Sequence, residues 1–325
     1  MQKTLFLILL ICGAIFALIL ALSVGSASFG VLNVWESLFG NGDPLIREVV
    51  LELRLPRALT AFGTGAALAV AGVMMQLLLR NPLADPYVLG TSGGAAAAAL
   101  TGMLLGASGL LLDGFAFAGA LGSTLLVFTL AGHKGTWNPG RLLLTGVVTA
   151  AGWGALITLI LALAPDANLR SMLFWLMGDF SFATNPFPAL IIAAIAVVTG
   201  LILAQSLNVL ATGSLQASLL GVSVKPLRIT LYVASSLLTA VAVTTGGTVG
   251  FVGLVIPHLI RLITGSDHRI VVPAAAIAGG TLLVLSDLIA RTIVAPRQLP
   301  VGAITAAIGV PLFLILLRKS QTSRD

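Results

Sequence analysis

Charge is scarce in this chain. Only 9% of its 325 residues are Asp, Glu, Lys or Arg, where a soluble domain carries about a quarter. With 58% apolar residues and a mean hydropathy of +1.09, too little polar surface remains to coat a water-soluble particle. Cysteine is nearly absent: Cys12 stands alone inside the first apolar run, so neither an internal disulfide nor a cysteine metal cluster can form. The three histidines, His133, His258 and His268, have no metal-ligand spacing. No HExxH, GxSxG or GxxxxGK[ST] string occurs, which leaves no readable catalytic centre, metal site or ATP site. An ion-coupled transporter needs buried carboxylates near mid-membrane, and the predicted helix centres hold none. Asp287 comes nearest, four residues before Arg291, a spacing at which the two can simply pair.

What the chain does have is long apolar runs. Twenty-two residues without a charge (Ala58–Leu79) and twenty-six more (Tyr87–Leu112) flank the stretch RNPLADP. A helix needs about 20 residues to cross the hydrocarbon layer. Uncharged runs and their Gly, Pro and charge boundaries predict helices near 4–23, 58–79, 88–107, 113–132, 142–164, 187–206, 229–247, 251–263, 271–290 and 302–318. The eighth is too short to cross alone, and the sixth must break near Gln205–Asn208. The expectation is an all-α integral membrane protein of about ten transmembrane helices, one polytopic domain over 1–325. The first run reads as a retained helix, since a cleaved signal has a shorter apolar stretch and a small-residue cleavage site.

The net charge of +6 reads as membrane orientation, not as a nucleic-acid surface. With the N-terminus inside, eleven basic residues fall on the cytoplasmic side, among them Lys3, Arg80, Lys225, Arg228, Arg261 and Arg269. Six fall outside: Arg47, Arg54, Arg57, Arg170, Arg291 and Arg297. This obeys the positive-inside rule and puts both termini in the cytoplasm, with lipid as the surrounding partner. Glycines cluster as GTGAALAVAG and SGGAAAAAL, where small residues let membrane helices approach closely.

Four stretches ask for more than packing: residues 53–94, GRLLLTGV (140–147), the amphipathic LRSMLFWLMGDF (169–180), and GGTVGFVGLVIPHLIRLITGSDHR (246–269). In the last, Pro257 interrupts a span already loosened by Gly246, Gly247, Gly250 and Gly253. Broken helices at membrane depth occur where backbone is buried in protein or lines a cavity, which favours a translocation path over a passive anchor. RNPLADP reads as a cytoplasmic turn, with Pro82 and Pro86 ending one helix and delaying the next. The polar-ended segment QSLNVLATGSLQASLLGVSVKPLR (205–228) reads as an interfacial helix on the same side.

In this order and spacing, RLPR, NPLADP, GFVGLVIPHLIR, DHR and LPVGAITAAIGVPLFLILL resemble the iron-chelate and vitamin B12 permease family of bacterial ABC importers, over nearly the whole chain. The resemblance implies a type II ABC importer permease fold in the bacterial inner membrane, a homodimer with its pathway on the dimer axis. It implies two cytoplasmic ATPase subunits that carry ATP and Mg, and a periplasmic or lipid-anchored substrate-binding protein. This chain would then hold no cofactor and catalyse no reaction.

Residue roles follow from the same resemblance. Asn81 and Leu83, with the loop Asn138, Pro139 and Gly140, would form the cytoplasmic gate; there the chain reads TWNPGR, unlike the small hydroxyl residues of the family's B12 member. Residues 205–228 would be the coupling region, with Leu210, Leu215, Leu219, Leu220, Gly221 and Val222 at the ATPase. Arg54, Arg57 and Arg291 would meet acidic residues of the binding protein, against the plainer reading of interfacial snorkelling. Phe174, Trp175 and Met177 would belong to the periplasmic gate helix. The expected substrate is a bulky chelate, ferric siderophore first, with cobalamin or haem as alternatives.

Overall fold

A computed structural model describes residues 2–25, 29–40, 43–131, 139–181 and 183–322. They are helical throughout, with no strand among the described residues. In chain order the helices are α1 (Gln2–Ser23), α2 (Val31–Leu38), α3 (Pro44–Glu48), α4 (Leu55–Leu79), α5 (Thr91–Leu104), α6 (Gly109–Ala131), α7 (Pro139–Leu163) and α8 (Asp166–Met177). Then follow α9 (Phe187–Ile202), α10 (Ala204–Thr212), α11 (Ser214–Leu219), α12 (Val224–Gly246), α13 (Val252–Thr264), α14 (His268–Thr292) and α15 (Val301–Thr322).

Each of the ten predicted spans contains one of these helices. Six of them are long and apolar enough to cross a bilayer alone; α9 and α10 pass the same test only when taken together, and they are bent by 65° to each other. The bend falls at Leu203, two residues before the break expected at Gln205. The second span starts earlier than its uncharged run, because α3 continues through a π-helical turn (Val49–Arg54) into α4. The third is shorter: a 3-10 turn (Pro86–Leu89) precedes α5, since Pro86 delays the helix. Helix α2 was not expected at all.

The fold is organised around α4. It is the most deeply buried span, packed by α9, α12, α13 and α14, and its sequence explains why. Lipid tails supply no hydrophobic drive between helices, so contact depends on close packing of small residues. Gly65 abuts the backbone of Gly279 on α14, and Gly72 abuts the backbone of Gly253 on α13. At Gly63 an added Cβ would stand 2.8 Å from the backbone of Ala189 on α9. No larger residue fits these crossings.

The stretch 246–269 is interrupted, but not at Pro257. Pro257 lies inside a continuous α13. The interruption is the segment from Gly247 to Phe251, where Gly247 (φ 69°) and Phe251 (φ 70°) adopt left-handed backbone. A proline removes the N–H that the carbonyl four residues earlier would receive. Here that residue is Gly253, whose carbonyl faces Gly72, so the lost bond falls at a backbone crossing and α13 continues.

Candidate functional site

The functional residues divide between two ends of the bundle and an open pocket. At one end α4 closes with a Schellman-type cap: Arg80 takes a left-handed conformation (φ 51°), and the Asn81 N–H donates to the Gln76 carbonyl at 3.1 Å. The turn is then held by its own side chains. Asn81 Oδ1 accepts the Leu83 N–H at 2.9 Å, and Asp85 Oδ1 accepts the Tyr87 N–H at 2.8 Å. Desolvation pushes the Asp85 carboxyl up to about 6, with the Tyr87 N–H pulling the other way. Leu83 is 40% exposed at the tip of the turn. Of the second expected gate half, Asn138 lies outside the described residues, and Pro139 and Gly140 form the first turn of α7.

Beside this turn sits the coupling region, as two short helices. Leu215, Leu219 and Leu220 on and just after α11 are 74%, 78% and 69% exposed. Gly221 continues the exposed corner with φ 81°. Leu210 differs from expectation: it is buried in the core, while Val222 is half-buried against the same cluster, so Leu210 does not present itself to a partner. The reason is geometric, because the bend at Leu203 turns α10 back against α4 and α14.

Two polar joints fix these helices. Arg80 Nη2 and Arg228 Nη2 both donate to Ser214 Oγ, at 2.5 and 2.6 Å. Asn208 donates to Asp267 Oδ1 at 2.8 Å and accepts the backbone N–H of His268 at 2.9 Å. The Asn208 amide and the Arg269 N–H hold the Asp267 carboxyl below the usual carboxylate range.

The opposite end gathers the basic residues that the charge sorting placed outside. Asp287 does not mainly pair with Arg291 one turn away. Its carboxylate accepts two forked bonds from Arg57, Nε to Oδ2 at 2.9 Å and Nη2 to Oδ1 at 2.8 Å. Arg291 stands 3.9 Å off and donates to the Ala21 carbonyl instead. Arg54 is buried, donating to the Leu22 carbonyl at 2.6 Å with its guanidinium 4.5 Å over the Phe29 ring. All three arginines expected at a docking surface are thus engaged inside the fold. Docking needs an exposed fork, and in this conformation Arg54 offers none. Among the described residues, Arg57 keeps one further bond, from Nη1 to Gln298 Oε1 at 3.0 Å, and Ser181 Oγ lies 2.7 Å from the same oxygen.

That last contact leads to α8, the expected gate helix. Its inner face is anchored by Met172, and Phe180 just beyond it is equally buried. Phe174 and Trp175 are half-buried, while Met177 is 45% exposed. The helix end is fastened to the broken segment and to α15. Asp179 N–H donates to the Gly246 carbonyl at 3.2 Å, and Val301 N–H donates to the Gly178 carbonyl at 3.0 Å. The Thr248 hydroxyl donates to the Leu176 carbonyl.

A shallow, largely open pocket of about 310 Å³ is lined by Tyr87, Ser92, Ile157, Leu176 and Thr248 among others. It touches the turn through Tyr87, the gate helix through Leu176, α7 through Ile157 and the broken segment through Thr248. Tyr87 also accepts the Val249 N–H on its hydroxyl, at 3.1 Å, so one side chain joins the turn to the broken span. Sequence reasoning missed Tyr87, although it directly follows NPLADP. It also missed Ser214, Gln298 and Ser181, for which no local signal exists.

Six helices long and apolar enough to cross a membrane, packed with further apolar helices around α4, mark a polytopic membrane protein. Residues 11–319 match the FecCD transport family, and the chain belongs to it. The chain is 40% identical to an ABC transporter permease protein of unassigned substrate, YvrB of Bacillus subtilis, over 95% of this chain and 92% of that one. It is 37% identical to the hemin transport system permease HmuU of Yersinia pestis, over 97% of each. It is 38% identical to the vitamin B12 import permease BtuC of Vibrio cholerae, over 90% of this chain and 89% of that one. Among solved structures, an inward-facing metal-chelate type ABC transporter superposes with a TM-score of 0.86 at 31% identity, covering 96% of this chain and 98% of that one.

Proposed function

We propose that this chain is the membrane permease subunit of an ATP-driven importer for a bulky metal chelate, with ferric siderophore as the first candidate and haem and cobalamin as alternatives. The observation that carries this reading is α11. Three leucines are exposed on and just after a six-residue helix that polar joints fasten to the ends of α4 and α12, an arrangement suited to receiving force from a soluble partner. Two ATPase subunits dock there from the cytoplasm, and a binding protein delivers substrate at the α8 end. The α7 face carrying Leu144, Val148, Leu159 and Leu163 is exposed in the single chain, and a second copy covers it, with the pathway between the two. The membrane is the bacterial inner membrane, with both termini cytoplasmic.

Transport is alternating access. ATP-driven closure of the ATPases moves α10 and α11, and the shared contact at Ser214 carries that motion to Arg80 and the Asn81–Asp85 turn. Among the described residues, the pocket between the turn and the gate helix has no charged side chain in its lining, which suits a chelate that must be released. The test is uptake into proteoliposomes containing the permease, its ATPase and its binding protein, with iron-loaded siderophore, haem and cobalamin offered in parallel. ATP-dependent accumulation of one of them is the expected result. Accumulation driven by an ion gradient without the ATPase overturns the reading in favour of a secondary transporter.

A further inference from the structure

Arg80 and Arg228 make an arrangement that the fold alone does not account for. Their guanidinium groups converge on one neutral oxygen, Ser214 Oγ, at 2.5 and 2.6 Å. Two like charges brought together normally flank a carboxylate or phosphate, which accepts their forked donors. Among the described residues neither arginine forms an ion pair; the ion pairs there belong to Arg57 and Arg291, both with Asp287. The acidic groups of this end, Asp85 and Asp267, are occupied by the Tyr87 N–H and by Asn208. Ser214 therefore holds the place of an anion with a single hydroxyl, and its two lone pairs are filled by the two donors.

The position of the pair indicates what supplies the missing charge. Arg80 is exposed and Arg228 half-buried, next to the exposed Leu215, Leu219 and Leu220. An apolar patch flanked by unneutralised cations is complementary to a partner with an apolar groove and an acidic rim. Resting on the permease reading above, we propose that Arg80 and Arg228 form a docking site for a carboxylate side chain of the ATPase subunit. An Asp or Glu of that subunit enters between the guanidiniums as the leucines seat. Because Arg80 caps α4 and Arg228 lies in the first turns of α12, one carboxylate then ties the ATPase to both helices and to the gate turn.

The experiment measures binding of the purified cognate ATPase to full-length permease in nanodiscs, at low and high salt, in phosphatidylcholine alone and with added phosphatidylglycerol. The double variant Arg80→Gln/Arg228→Gln is expected to bind about tenfold or more weakly in both lipids, with a flatter salt dependence. The variant Arg80→Lys/Arg228→Lys is expected to recover much of the loss, since it keeps the charge. Ser214→Ala, which frees both guanidiniums without touching their charge, is expected to hold or tighten the affinity. Undiminished binding of the Gln double variant, while Leu219→Asp abolishes binding, overturns the carboxylate site and leaves the permease reading standing. A deficit confined to phosphatidylglycerol discs also overturns it, by showing that lipid is the anion. A wild-type permease that binds no ATPase removes the permease reading, and this site with it.

Discussion

Replacing Asp287 with Asn is the sharpest probe of how this membrane fold is held. The Asp287 side chain is 4% exposed and that of Arg57 12% exposed, and their contacts run from 2.8 to 3.1 Å. Arg291 sits 3.9 Å from the same carboxylate. Removing the charge leaves two guanidiniums facing an amide that supplies one acceptor oxygen and turns an NH2 group toward further donors. Breaking a buried pair this way costs about 3–5 kcal/mol, because the remaining ion is left desolvated and unpaired. Arg57 retains Gln298 and some access to water, so the expected loss is at the lower end, about 3 kcal/mol. Arg57→Gln alone should cost less than Asp287→Asn, since Arg291 then inherits the carboxylate. The double variant should be less damaged than the sum of the two singles. The assay is unfolding of the purified chain in mixed micelles by dodecyl sulfate titration, followed by tryptophan fluorescence. A loss below about 1 kcal/mol for Asp287→Asn, the size of an exposed pair, refutes the reasoning. So does strict additivity in the double variant.

Other consequences are equally direct. Leu219→Asp with Leu220→Asp should leave the fold intact, because both side chains are exposed, while abolishing substrate-coupled ATP hydrolysis in proteoliposomes; unchanged transport counts against the coupling role of α11. Gly72→Ala should be strongly destabilising, by about 2–4 kcal/mol, since its Cβ meets the backbone of Gly253 and not a flexible side chain; a melting temperature within about a degree of wild type contradicts the close crossing. Asp85 has its folded-state value raised to about 6 from 3.8, so the folded state favours the protonated carboxyl. Its contribution to stability is complete below about pH 4 and is lost as pH rises through about 6. Asp85→Asn keeps the acceptor for the Tyr87 N–H, so it should raise stability at pH 7.5 by about 1–2 kcal/mol and flatten the profile between pH 4 and 6. Thermal melts from pH 4 to 7.5 check both points, and an unchanged profile refutes the assignment.

Much of the architecture was legible because the membrane imposes simple rules on sequence. A helix must span a fixed thickness, so uncharged runs marked ten of the helical segments, and charge bias sorted Arg57 and Arg291 to one end and Arg80 and Arg228 to the other. Proline was a weaker guide. Pro86 delayed α5 as expected, whereas Pro257 did not break α13, because an X-Pro signal says that a hydrogen bond is lost and not whether the neighbouring helix tolerates the loss. Helix α2 went unseen because eight residues are too few for a periodic pattern. Leu210 was expected at the interface from the family resemblance, and nothing local in the sequence signals the bend at Leu203 that buries it.

By itself, then, the sequence determined the membrane environment, the place and order of ten helical segments, the end of the bundle to which Arg57 and Arg80 belong and, through its motifs, the family. These are properties of local composition and spacing along one chain. Tertiary structure alone decided which charges meet. The Arg57–Asp287 pair spans residues 57 and 287, Ser214 joins Arg80 to Arg228, and Tyr87 reaches Val249. Such pairings depend on how α4 crosses α12, α13 and α14, which is set by glycine contacts whose partners lie far away in sequence. Tertiary contacts likewise engage Arg54 with Leu22 and Phe29 and Arg57 with Asp287, and leave Leu215, Leu219 and Leu220 facing out.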